Sequence, residues 1–279
     1  MKKFFSFFYS FNMRIFTVLF LTALFFIQQQ QAAFSLISIP DPSKIYKQEW
    51  SIFLPAQDED PDSQSLENAI ELYQKGELKK AEKLLNRLLI EYPENGNLHH
   101  YLGLIKFKQQ KYLYAMIYFS ESIKLNPEDI LSLYNRSVVY FTLKQWEAAI
   151  KDCDTIISIK PDYIPAINTR GLCYKHMGKT EKALSEYTLV LKKQPSNFMA
   201  RYNRALLNHT MERYAEAVID IETLLKTSSY KNETLYFLRG ECYLAWGKIN
   251  RAKADFQEVC RFKGPYKNEA LKRLKKLGN

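Results

Sequence analysis

A chain of 279 residues, 47% hydrophobic and 25% charged, has the bulk composition of a globular protein and not of a disordered or collagen-like one. Nine glycines and ten prolines leave few breakers, which favours helices, and four cysteines are too few for a disulfide scaffold. The net charge of +10 does not mark a general nucleic-acid binder: +3 lies in residues 1–34 and +7 in residues 231–279, so the middle is neutral.

Residues 1–34 open with Lys2, Lys3 and Arg14 and run into thirteen uncharged residues, 15–27 (IFTVLFLTALFFI). As a helix that run rises roughly 20 Å, short of a 30 Å hydrocarbon core. The basic flank, the short apolar run and the following Gln28–Gln31 and Ala32-Ala33 have the layout of a secretory signal peptide. A cut after Ala33 would place Gln31 where a small residue is usual, so a retained anchor reaching back through residues 4–11 stands as the second reading. Both put the body of the chain outside the cytoplasm, and this segment is where membrane contact is expected. Residues 35–61, with Pro40, Pro42, Pro55, Pro61 and the acidic Asp58-Glu59-Asp60, read as a linker or arm. Trp50, Ile52, Phe53 and Leu54 are apolar for a linker and fit either packing against the residues beyond 61 or binding.

Beyond residue 61 a 34-residue period governs the chain. Ala81, Ala115, Ala149, Ala183 and Ala217 keep it, and Ala252 comes after 35; Pro93, Pro127, Pro161 and Pro195 keep the same step. Twelve residues before each alanine stands a small residue: Ala69, Gly103, Ser137, Gly171, Ala205 and Gly240. Two antiparallel helices per period account for this, because small residues at the eighth and twentieth places let their backbones meet while bulky ones at the seventeenth, twenty-fourth and twenty-seventh fill the surroundings. Gly76, Gly178 and Gly247 fall in the turn between paired helices, where a positive φ is useful, and the proline ends the second helix. At the twenty-seventh place Leu88, Ile156, Val190, Leu224 and Val259 are apolar and Ser122 is the exception.

This pattern resembles the tetratricopeptide repeat family, most clearly in Arg170-Gly171-Leu172-Cys173-Tyr174 followed by Ala183, Tyr187 and Pro195. Six repeats are expected, at 62–95, 96–129, 130–163, 164–197, 198–232 and 233–265, with a capping helix at 266–279. The fold expected is all-α: a right-handed α-solenoid of six helix-turn-helix repeats. Ser229 replaces proline in the fifth repeat, and Lys106 and Asn208 occupy places where the family usually has tyrosine or a large apolar residue. In the cap, Ala270, Leu271, Leu274 and Leu277 are expected to face the last repeat, with Lys267, Lys272, Arg273, Lys275 and Lys276 on the other faces. A basic tail that touches anionic lipid or an acidic partner is the alternative use of those cations.

The sequence offers no phosphate-cradling loop, no G-x-S-x-G, no H-E-x-x-H and no C-x-x-C. The adjacent His99 and His100 point about 100° apart on a helix and cannot share a metal ion. No catalytic residue, cofactor or metal is therefore expected, and the protein is read as non-enzymatic. Cys242 and Cys260 fall in one repeat, so a bridge between them stays open for an oxidising compartment. Stacked repeats place the first helices on a concave side. The residues expected there are His100, Phe107, Tyr134, Asn135, Phe141, Asn168, Lys175, Tyr202, Asn203 and Phe237. Such a surface suits a peptide or helix from a protein partner, with aromatics as anchors, although aromatics at this spacing also serve packing between repeats. Some family members use asparagine at the sixth place to bond a ligand backbone, which the resemblance implies for Asn135 and Asn203, with Thr169 between them. The family's clamp for a C-terminal carboxylate is not matched, since Leu66 and Ile70 stand where its first lysine and asparagine would be. The expected role is an interaction scaffold or adaptor, in a bacterial envelope. A structural or oligomerising subunit whose groove is filled by residues 44–55 is the rival. The sequence leaves the oligomeric state open.

Overall fold

The computed structural model describes residues 61–227 and 232–278. The signal or anchor segment and the arm, including residues 44–55, lie outside the described residues. Residues 61–279 form one compact unit. Thirteen helices and no strands occur among the described residues. Six pairs succeed one another: α1 (Pro61–Gln74) with α2 (Leu78–Glu91), α3 (Gly96–Lys108) with α4 (Tyr112–Leu125), α5 (Ile130–Thr142) with α6 (Trp146–Ile159), α7 (Ile164–His176) with α8 (Thr180–Lys193), α9 (Phe198–Thr210) with α10 (Tyr214–Thr227), and α11 (Glu233–Ala245) with α12 (Ile249–Val259). A single helix, α13 (Lys267–Lys276), closes the stack. Each helix packs on the next in chain order, and α1, α3, α5 and α7 also touch in sequence through their own faces.

The eighth and twenty-fourth places carry the contact within each pair. A Cβ added at Gly103 would lie 2.6 Å from Cε1 of Phe119, at Gly240 2.8 Å from Phe256, and at Gly171 3.0 Å from Tyr187. Where the eighth place is Ala69, Ser137 or Ala205, the twenty-fourth is the smaller Leu85, Cys153 or Ile221. All six of these pairs are buried. Glycine thus accompanies an aromatic ring, and a larger small residue accompanies an aliphatic side chain or thiol, so volume added on one helix is matched by volume removed on the other.

The turns and ends arise from local chemistry. Every fifteenth place is left-handed: Gly76, Gln110, Lys144, Gly178, Glu212 and Gly247 have φ from +59° to +79°. Asn95, Asp129, Asn197 and Asn232 precede first helices, and their side chains accept from the backbone N–H of Asn97, Leu131, Ala200 and Leu235. The second helices α2, α4, α6 and α8 stop two residues before the repeat proline.

One repeated feature was not read from the sequence. Arg136, Arg204 and Arg239 at the seventh place grip Asp152, Asp220 and Asp255 at the twenty-third with two bonds each, of 2.7–2.9 Å. Arg170 spans two acids, Asp154 at 2.6 Å and Glu186 at 2.9 Å. The three aspartates are buried, so each needs its guanidinium. Two of the departures from the repeat are also compensated. Lys106 bonds Glu82 of the preceding repeat at 2.5 Å, and Ser122 bonds the Gly96 carbonyl at 2.9 Å.

The cap needs one correction. Ala270 is buried and Leu274 and Leu277 pack on the last repeat, but Leu271 is 48% exposed, because helical rotation carries it to the outer edge. Tyr266 donates its backbone N–H to Glu233 Oε1 at 2.9 Å, which ties the start of α13 to the start of α11. All four cysteines are free, and burial pushes the Cys242 thiol up to about 12.

Gly103→Ala gains helix propensity worth about 1 kcal/mol, yet the enclosed Phe119 ring must move, which costs roughly 1–3 kcal/mol. The expected net result is a lower urea midpoint for Gly103→Ala and recovery in Gly103→Ala/Phe119→Leu, the combination that repeat 1 uses. A stabilised single variant would show that this contact does not set the helix spacing.

Candidate functional site

The fifth, ninth and twelfth places of each first helix form one stripe, since they lie four and seven residues apart. The stripe divides along the stack. In repeats 2 and 3, His100, Leu104, Tyr134 and Val138 are buried, and only Phe107 and Phe141 at the twelfth place are half-buried. In repeats 4 to 6 every member is half-buried: Asn168, Leu172 and Lys175; Tyr202, Leu206 and His209; Phe237, Glu241 and Leu244.

His100 and Tyr134 are therefore corrected from groove residues to packing residues. His100 Nδ1 lies 2.7 Å from Ser132 Oγ, with its ring edge-on to Tyr101 at 5.4 Å and against Phe119 at 5.8 Å. Ser132 donates to Ser122 at 2.9 Å, and Ser122 is 3.2 Å from Asp129 Oδ2, so a polar chain crosses the junction of repeats 2 and 3. Tyr134 packs edge-on against Tyr163 at 5.7 Å, and its hydroxyl bonds Thr169. Three other aromatics also serve packing. Phe107 meets Tyr112 at 5.6 Å, Phe141 meets Trp146 at 5.0 Å, and Phe237 stacks on Tyr266 at 4.8 Å. His176 stacks on Trp146 at 4.9 Å, which closes the Phe141 cluster.

The polar candidates behave differently. Asn135 and Asn203 at the sixth place are buried. The buried side-chain oxygens of Asn168 and Asn203 find no hydrogen-bond partner among the described residues. Lys175 has its pKa held below the ordinary lysine value by desolvation alone. His176 and His209 are lowered too, chiefly by burial; Lys175 and Lys144 add to the effect at His176, whereas Glu241 opposes it at His209. Glu241 is gripped by Arg273 of the cap at 2.8 and 3.2 Å. Tyr202 stacks on Phe198 at 6.3 Å, and burial pushes its hydroxyl up to about 12. Asn168, Lys175, Tyr202 and Phe237, all half-buried, and the buried Asn203 thus stand on the first helices of repeats 4 to 6.

Two tetratricopeptide repeat family models match the chain, one over residues 66–130 and 174–231 and the other over residues 130–163 and 233–264. The chain belongs to the tetratricopeptide repeat family. Among curated relatives of this repeat protein, stress-induced-phosphoprotein 1 of Caenorhabditis elegans is 32% identical over 88 residues, which is 32% of this chain and 28% of that one. Hsp70-Hsp90 organizing protein 1 of Glycine max is 31% identical over 115 residues, 36% of this chain and 20% of that one. The chain therefore spans less than a third of the length of either relative. Its repeats resemble the solved structures of PilW, described as a type IV pilus biogenesis factor (TM-score 0.65, 14% identity, 77% of this chain and 100% of that one), and Pseudomonas aeruginosa PilF (TM-score 0.63, 14% identity, 75% and 95%). YrrB, described as having an unusual peptide-binding site, aligns with TM-score 0.59 at 12% identity over 68% of this chain and 97% of that one. At these identities the structural likeness is one of fold.

Burial holds His100 below the ordinary histidine value, with Asp129 pulling the other way. An unfolded histidine takes its proton near pH 6.5, so acid favours the unfolded state, and the stability present above that pH is lost as pH falls through it. His176 and His209 add in the same direction. The urea midpoint is expected to fall between about pH 7.5 and about pH 5.5, and to fall less in His100→Gln. An equal fall in that variant would remove His100 from the account.

Proposed function

We propose that the protein is a non-enzymatic interaction adaptor that holds an extended peptide of a protein partner along the first helices of repeats 4 to 6. The observation that carries this is the pair of side-chain oxygens of Asn168 and Asn203 without partners beside a half-buried, partly apolar stripe. A buried acceptor without a donor costs roughly 1–3 kcal/mol. The backbone N–H groups of an extended peptide supply that donor, after reorientation of the carboxamides about χ2. Leu172, Tyr202, Leu206 and Phe237 supply apolar contact for alternate side chains.

The repeats shared with a Glycine max protein named for organizing Hsp70 and Hsp90 support an adaptor role. Leu66 and Ile70 depart from the family's carboxylate clamp, so a chaperone tail held in that manner is not the ligand. The setting proposed is a bacterial cell envelope, with export and any membrane contact provided by residues 1–34; the basic, apolar and polar layout of that segment supports this.

The full-length chain and its Asn168→Ala/Asn203→Ala variant, both tagged, are to be compared for stability and for what they capture from envelope extract. Removing orphaned carboxamides is expected to leave the melting temperature unchanged or slightly raised while the captured partner is lost. Equal capture by the two proteins would refute the groove.

A further inference from the structure

Lys175 is a cation that the fold desolvates without compensation. It stands at the twelfth place of α7, seven residues after Asn168 and three after Leu172, so all three share one stripe. The side chain is half-buried and takes part in no hydrogen bond, ion pair or ring contact among the described residues. Its pKa is lowered by desolvation with no neighbouring carboxylate to restore it. The surroundings carry further positive charge, since Lys175 and Lys144 both act on His176 as positive neighbours. Glu241, the only acid on the stripe among the described residues, is already committed to Arg273.

Elsewhere the same repeats pair their buried charges carefully. Arg170 holds Glu186 and Asp154, Arg204 holds Asp220, and Arg239 holds Asp255. Burial of an unpaired ammonium lowers stability, and a methionine of similar length would serve the fold better. A charge that the fold does not use is available to a ligand, and the positive charge of Lys175 sets the sign of that ligand.

Resting on the groove reading, we propose that the bound peptide carries an aspartate or glutamate whose side-chain carboxylate accepts from Nζ of Lys175, while its backbone meets Asn168 and Asn203. Lys175 is then a specificity determinant. It selects acidic peptides over neutral or basic ones, and the apolar stripe on either side takes the flanking residues.

The test uses the immobilised full-length chain and a random library of C-terminally blocked dodecapeptides. The parent is expected to enrich peptides with Asp or Glu at one fixed position. Those peptides should bind Lys175→Met about tenfold or more weakly, as loss of a charged hydrogen bond requires. Lys175→Glu should shift the selection toward Lys or Arg at that position. Lys175→Met should also melt at the same or a higher temperature than the parent, which a merely structural lysine would not allow. Peptides that are lost on Asn168→Ala/Asn203→Ala, show no acidic position and bind Lys175→Met as well as the parent would overturn the inference and leave the groove standing. Failure to select any peptide, or selection of peptides indifferent to both asparagines, would overturn the inference together with the groove.

Discussion

The close approach of the two helices in each repeat, at the eighth and twenty-fourth places, is the constraint on which the rest of the structure depends. Gly103, Gly171 and Gly240 leave room for Phe119, Tyr187 and Phe256, whereas Ala69, Ser137 and Ala205 stand with Leu85, Cys153 and Ile221. Volume lost on one helix is regained on the other, which lets six unlike pairs fill a similar contact. That complementarity is what allows the pairs to stack. It also places the seventh residue opposite the twenty-third, where the Arg136, Arg204 and Arg239 bridges form. Buried aspartates that would be a liability alone become ties between the two helices of a repeat.

The stack is regular in its core and differentiated on its first-helix face. In repeats 2 and 3 that face is closed by His100, Tyr134 and their partners, and a chain of hydroxyls through Ser132 and Ser122 reaches Asp129. In repeats 4 to 6 the same places hold Asn168, Lys175, Tyr202 and Phe237 and stay half-buried. A common backbone thus closes one part of its face by packing and leaves another part half-buried. In the second part the side-chain oxygens of Asn168 and Asn203 have no hydrogen-bond partner among the described residues.

Much of the fold was legible because the period repeats a physical need. The eighth, twentieth and thirty-second places announce close approach and helix ends, and the structure puts helices where those places require. The turn was legible through Gly76, Gly178 and Gly247 but hidden at Gln110, Lys144 and Glu212, whose side chains give no sign that φ is positive. The arginines at the seventh place, Arg136, Arg170 and Arg204 at the 34-residue step and Arg239 after 35, gave no sign of their role because charged residues are read by default as solvated. On the candidate face, residue type revealed position but not depth. His100 and Asn168 share the fifth place, yet one is enclosed by Tyr101 and Phe119 and the other is half-buried. That difference comes from neighbours three-dimensionally adjacent in the stack. Leu271 was misplaced for a related reason: a helix offers several apolar residues to its neighbour, and only rotation decides which ones arrive.

Photocrosslinking in the cell tests the central claim most directly. A photoreactive phenylalanine analogue in place of Tyr202, on the first-helix face, should give one discrete protein adduct, while the same analogue at Ile219, 61% exposed on a second helix, should give none or a diffuse set. A discrete adduct at residue 219 with none at residue 202 would contradict recognition through the first helices of repeats 4 to 6.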